Sequence, residues 1–261
     1  MSVKTESKIN YLLNAHPKGA VLLSSWLTAQ GYSPSLQNRY KKSGWFESAG
    51  TGALIRVGDV VDYLGGIYAL QTQLGMSVHP AGRTALSLLG QAHYLELSVN
   101  KALLFGGGDE KLPSWFKKYS WGIDVNYKAT GFLPKSLGLS TLELPYFSVK
   151  ISSAPRAIME CLYQAPDHQP LEEIYEIMEG LNMLRPDHVQ ELLENCSSVK
   201  VKRLFLYMAE KIGHSWYDYL ELNKIDLGKG KRSLVLNGVY IDKYQITVPK
   251  ILEKDSDAIT I

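Results

Sequence analysis

Hydrophobic positions along this 261-residue chain change their period several times. Ile9, Leu12 and Leu13 share one side of a helix predicted over 5–15, and residues 18–30 (KGAVLLSSWLTAQ) read as a second apolar helix that stops at Gly31. A short polar helix follows Ser33-Pro34, with Leu36 and Tyr40 on its apolar side and Gly44 as its stop. Trp45–Glu47 and Leu54–Arg56 then alternate like two strands around the loop 48–53. Residues 62–74 return to helical spacing through Leu64, Ile67, Tyr68, Gln71 and Leu74. His79–Gly82 is a break, and another apolar helix is expected over 84–95. From 101 to 150 the period shortens, which predicts strands over 101–105, 122–127 and 142–150. Residues 156–222 are helical again, one helix opening at Pro186 and another running over 201–212. Asn237-Gly238 between 233–236 and 239–242 is a type I′ hairpin signal, and a last strand is expected over 244–248.

The segment 18–56 carries the most chemistry. Ser33 suits an N-cap, its hydroxyl free to accept an early backbone N–H. Pro34 fits the first helical position, where no N–H is needed, and Gly44 fits the left-handed residue beyond the end. At about 100° per residue, Asn38 points away from Leu36 and Tyr40, flanked by Ser35, Lys41 and Lys42, with Gln37 and Arg39 at the edges of that face. Helix, turn, helix and two-stranded wing in succession form a winged helix-turn-helix, whose second helix can enter a DNA major groove. Asn and Gln can pair with adenine, Arg with guanine and Lys with phosphate. The candidate DNA-contact set is therefore Ser35, Gln37, Asn38, Arg39, Lys41 and Lys42, with Arg56 as a phosphate or minor-groove contact from the wing. The alternative is a surface helix with ordinary solvated charges.

Composition matters mainly through its distribution. Net charge is only +2, yet residues 1–60 carry +4 and residues 151–195 carry −7, with basic stretches on both sides of the acidic one. This separates a basic N-terminal module from an acidic patch. Cys161 and Cys196 lie far from any CxxC pattern and are expected as reduced core residues of a cytoplasmic protein. No stretch of 18 apolar residues predicts a membrane span, and the start MSVKTESKINYLL lacks the apolar core of a signal peptide.

Longer motifs carry a resemblance. Leu64–Gly75 (LGGIYALQTQLG), Gly82–Leu95 (GRTALSLLGQAHYL), Ser152–Glu160 (SSAPRAIME), Leu181–Pro186 (LNMLRP), Lys200–Glu210 (KVKRLFLYMAE), Leu227–Arg232 (LGKGKR) and Tyr244–Pro249 (YQITVP) resemble the AbiEi-type antitoxins of abortive-infection, type IV toxin–antitoxin systems over roughly residues 5–250. The pattern along the chain predicts an α+β protein, with a winged helix-turn-helix domain over 1–95 and over 96–261 a mixed α/β domain with a helical bundle and a small antiparallel sheet; the resemblance implies that the first binds DNA and the second is the antitoxin domain. It implies binding to the operon's own promoter, usually at repeated sites, with repression. It also implies counteraction of a nucleotidyltransferase-like toxin that need not form a stable complex with it. No neutralising motif transfers residue by residue.

Other features admit a structural reading beside a functional one. Lys200, Lys202 and Arg203 at a helix start, with Lys229, Lys231 and Arg232 in a Gly-rich turn, could form a second basic surface for DNA phosphates, RNA or an acidic toxin face. Solvated lysine clusters, partly balanced by the acids of 172–194, explain them equally well. Arg83 at a helix start is expected to pair with an acid rather than bind an anion. Gly106–Gly108 lacks the Gly-Lys-Ser/Thr of a phosphate loop. The six histidines form no HExxH, His93 and His214 are expected as polar fillers beside aromatics, and Trp216, Tyr217 and Tyr219 read as core rather than a stacking platform. No nucleophile, metal box or cofactor loop is present in the sequence, so neither catalytic nor metal-binding residues are assigned and no cofactor is expected.

Overall fold

The computed structural model describes residues 8–91 and 101–253. The protein is α+β, and its chain divides into two interleaved compact units: Met1–His79, Ser98–Ala129 and Thr141–Lys150 form the first, and Pro80–Leu97, Thr130–Ser140 and Ile151–Ile261 the second.

In the first unit, α1 (Lys8–Ala15), β1 (Leu22–Leu23), α2 (Ser24–Ala29), α3 (Pro34–Lys42), β2 (Phe46–Gly50) and β3 (Ala53–Arg56) build a winged helix-turn-helix. The strands form an antiparallel sheet in the order β1-β3-β2, with Leu22 opposite Leu54 and Phe46 opposite Arg56. Leu12, Leu22, Leu27, Tyr32, Tyr40, Phe46 and Leu54 bury one another between helices and sheet. Each such aliphatic or phenyl side chain contributes about 1.5–3 kcal/mol of transfer free energy. The helix expected over 18–30 is corrected. Val21–Leu23 is extended, because Gln73 accepts from Leu23 N and donates to Val21 O, both at 2.8 Å, and β3 pairs with β1.

Next come α4 (Tyr63–Gln73), β4 (His79–Pro80) and α5 (Gly82–Leu88), the last counted with the second unit. Asp62 caps α4 by accepting from Leu64 N and Gly65 N at 2.9 and 3.1 Å. The two glycines of the LGG motif are packing residues. A Cβ on Gly65 would lie 2.0 Å from Gly19 O, and one on Gly66 2.6 Å from Trp121. Trp121 belongs to a ring cluster with Trp115, Phe116 and Tyr119 around α6 (Ser114–Lys118). β5 (Lys101–Gly106) and β6 (Asp124–Ala129) are parallel, in a sheet of order β4-β5-β6. The triglycine turn after β5 is filled by its own chain: Glu110 accepts from Gly107 N and from the backbone and hydroxyl of Ser77.

The strand expected over 142–150 is two strands, β7 (Leu139–Glu143) and β8 (Ser148–Ser152), which form a two-stranded sheet. Leu144 N bonds Phe147 O across a turn holding Pro145, which has no N–H for a ladder. In the second unit, α7 (Ala154–Gln164), α8 (Leu171–Glu179), α9 (Pro186–Asn195) and α10 (Val199–Ile212) form a helical bundle. α7 is buried over nearly its whole length and carries an internal ion pair, Arg156 Nε to Glu160 Oε1 at 2.8 Å. The charges are satisfied all round: Arg156 also donates to the carbonyls of Pro134 and Leu137, and Glu160 accepts from Gly82 N and Ser152 Oγ. A buried pair is tolerated only with such partners. The final sheet has the order β10-β11-β9, with β9 (Arg232–Ser233), β10 (Val239–Ile241) and β11 (Ile246–Val248). The hairpin lies between β10 and β11 through 242–245, while β9 pairs with β11 in parallel. Asn237 does take the left-handed conformation expected of it, at φ 54°, but joins no hairpin.

Candidate nucleic-acid interface

Local chemistry sets α3 as its sequence suggests. Ser33 Oγ accepts from Leu36 N at 3.3 Å, Pro34 stands in the first turn, and Gly44 beyond the end has φ +72°. Tyr40 is buried against Phe46, their ring centroids 6.3 Å apart, and Leu36 packs on the same core. Anchoring that side leaves Ser35, Asn38, Arg39, Lys41 and Lys42 exposed on one outward face. The face carries three cations and an amide and no acid, which suits a polyanion.

Two residues of the expected set are not on that face. Gln37 is only 5% exposed. Its Nε2 lies 2.7 Å from Tyr32 O, 3.1 Å from Thr28 Oγ and 3.2 Å from Ser24 O. The amide is consumed by the turn and both ends of α2, so Gln37 is a brace between the helices rather than a base reader. Arg56 is half-buried, and its guanidinium donates to Leu13 O at 2.6 Å and His16 O at 3.1 Å. These carbonyls lie at and just past the end of α1, where the helix leaves acceptors unpaired. Arg56 therefore ties the wing to α1 instead of reaching for phosphate.

The wing is buttressed. Ser24 N donates to Gly52 O at 2.9 Å, joining the start of α2 to the wing turn. A Cβ on Gly50 would stand 3.2 Å from the Cα of Trp115, so α6 backs the wing closely enough to require glycine there, at φ +128°. Between α3 and the wing runs an open cleft of about 280 Å³. Ser24, Ser25, Thr28, Asn38, Lys41 and Ser48 contribute its polar lining. Ser25 and Ser48 line this cleft without belonging to the set expected from the sequence.

The second basic surface is corrected in half its members. Arg203 is 2% exposed and donates to the carbonyls of Leu227, Gly228, Gly230 and Gln245. Lys202 is buried, and Lys200 Nζ donates to Tyr163 O and Ala165 O. α10 turns Lys202 and Arg203 inward because residues 201–209 are all buried, and Lys200 is half-buried just before them. Lys229, Lys231 and Arg232 remain exposed on the loop that Arg203 holds.

The other features resolve into structure. Arg83 pairs with Glu173 at 2.5 Å. His214 is buried, stacked on Trp216 and bonded to Met178 O, and burial lowers its pKa. Trp216 is core, Tyr217 bonds Tyr244, and Tyr219 is exposed rather than packed. His93 lies outside the described residues. Cys161 and Cys196 are buried free thiols, and burial pushes the Cys196 pKa up to about 11. Among the described residues no three His, Cys, Asp or Glu side chains are grouped to hold a metal, and no helix is long and apolar enough to cross a membrane.

Comparison with known proteins adds the family. The profile described as "Transcriptional regulator, AbiEi antitoxin N-terminal domain" matches residues 5–97, and that described as "Transcriptional regulator, AbiEi antitoxin, Type IV TA system" matches residues 99–249. No curated protein matches the chain. Among solved structures, the RV2827C protein from Mycobacterium tuberculosis has a similar fold, with a TM-score of 0.58 over 92% of this chain and 89% of that one at 15% identity.

Proposed function

The chain belongs to the AbiEi antitoxin family, transcriptional regulators of type IV toxin–antitoxin systems, and from that premise we propose that it binds a specific double-stranded DNA site in its own promoter, at repeated sequences, and represses its operon. In the same reading it counteracts a nucleotidyltransferase-like toxin encoded beside it, in the cytoplasm and without catalysis of its own. The observation that supports DNA reading is the outward face of α3: a capped, core-anchored helix whose exposed side chains are Ser35, Asn38, Arg39, Lys41 and Lys42. Asn38 stands at the centre of that face, where an amide can pair with an adenine edge. A binding assay on the upstream duplex and a scrambled duplex tests it: the upstream DNA is preferred, and binding weakens steeply with salt. Equal affinity for both duplexes removes the specific-regulator reading.

A second reading gives the C-terminal region the main part, gripping the toxin directly. It is favoured by a cleft lined by Asp187, Glu191, Glu194 and Glu221 beside exposed Tyr219, in which Lys224 pairs with Glu221 and Arg185 with Asp187, leaving Glu191 and Glu194 as its acids outside those ion pairs. Co-purification of the neighbouring gene product, abolished by charge reversal at Glu191 and Glu194, supports it; independent elution of the two proteins at micromolar concentration argues for action without a stable complex.

A further inference from the structure

We propose that the cleft between α3 and the wing seats one phosphate of the DNA backbone, held by the Lys41 ammonium and the Ser25 hydroxyl, and that this contact supplies affinity without sequence preference. The inference rests on the DNA-binding reading above and divides the labour within it.

Position separates Lys41 from its neighbours. Pro34, Gln37, Asn38 and Lys41 line the wall of the cleft that α3 provides, with Lys41 the one cation among them, whereas Ser35, Arg39 and Lys42 lie outside it. The facing wall is the wing, through Ser48, Gly50 and Gly52. None of the residues lining the cleft is acidic, and no ion pair holds Lys41 among the described residues. A cation beside hydroxyls, with no carboxylate, selects an anion.

The backbone acceptors that would repel an anion are already engaged. Ser24 O accepts from Thr28 Oγ at 2.8 Å and from Gln37 Nε2, Gly52 O accepts from Ser24 N, and Gly50 O accepts from Ser48 Oγ at 3.2 Å. Ser25 is exposed. The cleft is also preformed, since the Gln37 brace fixes α3 against α2 and Trp115 backs Gly50. A preformed anion seat loses less freedom on binding. Being walled by the wing on one side and the reading helix on the other, it meets the sugar-phosphate strand rather than a base edge, and phosphate contacts set register without carrying sequence information.

The test uses the full chain and the duplex immediately upstream of its gene, with a scrambled duplex as reference, titrated across salt concentrations. Lys41→Gln is expected to flatten the dependence of log K on log salt by about 0.9, the value of one lost phosphate contact, with the preference for the upstream duplex unchanged. Asn38→Ala is expected to do the reverse. A scan of single methylphosphonate substitutions then yields one position that weakens the wild type and leaves Lys41→Gln unaffected, and inorganic phosphate alone competes poorly. A wild type with no preference for its own duplex overturns the DNA reading and the seat with it. A wild type that prefers its duplex, with Lys41→Gln keeping the full salt slope or losing preference at one base pair, overturns the seat alone.

Discussion

Replacing Gln37 by leucine separates a brace from a base reader. The side chain keeps its approximate volume and its buried position but loses the donor that three acceptors share. An amide NH₂ has two hydrogens, so at most two of the three contacts are full bonds at one time. Ser24 O retains Thr28 Oγ as a donor, and Thr28 Oγ keeps its own bond to that carbonyl. Tyr32 O, at 2.7 Å the closest acceptor, bears most of the loss. A buried acceptor left without a donor costs about 1–3 kcal/mol, against which the added apolar contact of leucine returns part. The first unit should therefore lose about 2 kcal/mol, read as faster hydrogen exchange through α2 and α3 and an earlier urea transition. Gln37→Glu should be worse, because a carboxylate would face three oxygens. DNA affinity should fall on upstream and scrambled duplexes alike as α3 loosens. Unchanged exchange in α2 and α3, combined with loss of preference at a single base pair, would refute the brace and return Gln37 to the reading face.

His16 is buried, and burial lowers its pKa to about 4 from 6.5. The unfolded chain then takes up a proton that the fold refuses, so stability falls as pH drops from 6.5 towards 4, by up to about 3 kcal/mol at the acid end; denaturation across that window should show this slope in the wild type and lack it in His16→Gln. Gly66→Ala places a methyl 2.6 Å from Trp121 and should cost about 1–3 kcal/mol by overpacking. Gly131→Ala, with nothing within 4 Å, serves as the neutral control in the same melt. Arg203→Met removes a donor from four carbonyls, of which Gln245 O keeps Arg232 N, and should destabilise the second unit by on the order of 3–5 kcal/mol, whereas Lys229→Gln on the loop surface should leave the unfolding transition in place.

What could be read from the chain, and what could not, follows from how far each residue's partners lie along it. The cap of α3 needs only Ser33, Pro34 and Leu36, and the stop needs only Gly44, so neighbouring residues announce them. Gln37 lies at an angular position that could belong to either face; its fate depends on α2 arriving within reach of its amide. Arg203 looks like a surface cation at a helix start, and only the return of residues 227–230 and Gln245 buries it. Val21–Leu23 is an apolar run compatible with helix or strand until Gln73 and β3 satisfy its backbone. Of Asn237-Gly238 only the asparagine took the left-handed conformation, and no hairpin formed there, because β11 rather than the 233–236 segment took the place beside β10.

On the proposed reading, the outward face of α3 recognises a DNA sequence through Asn38. Equilibrium binding of wild type and Asn38→Ala to the upstream duplex, at fixed salt and against a scrambled duplex, addresses it most directly. The expected result is a clear wild-type preference that Asn38→Ala reduces by about 1–3 kcal/mol, with its salt slope intact. A variant that keeps the full preference, or a wild type that has none, contradicts it.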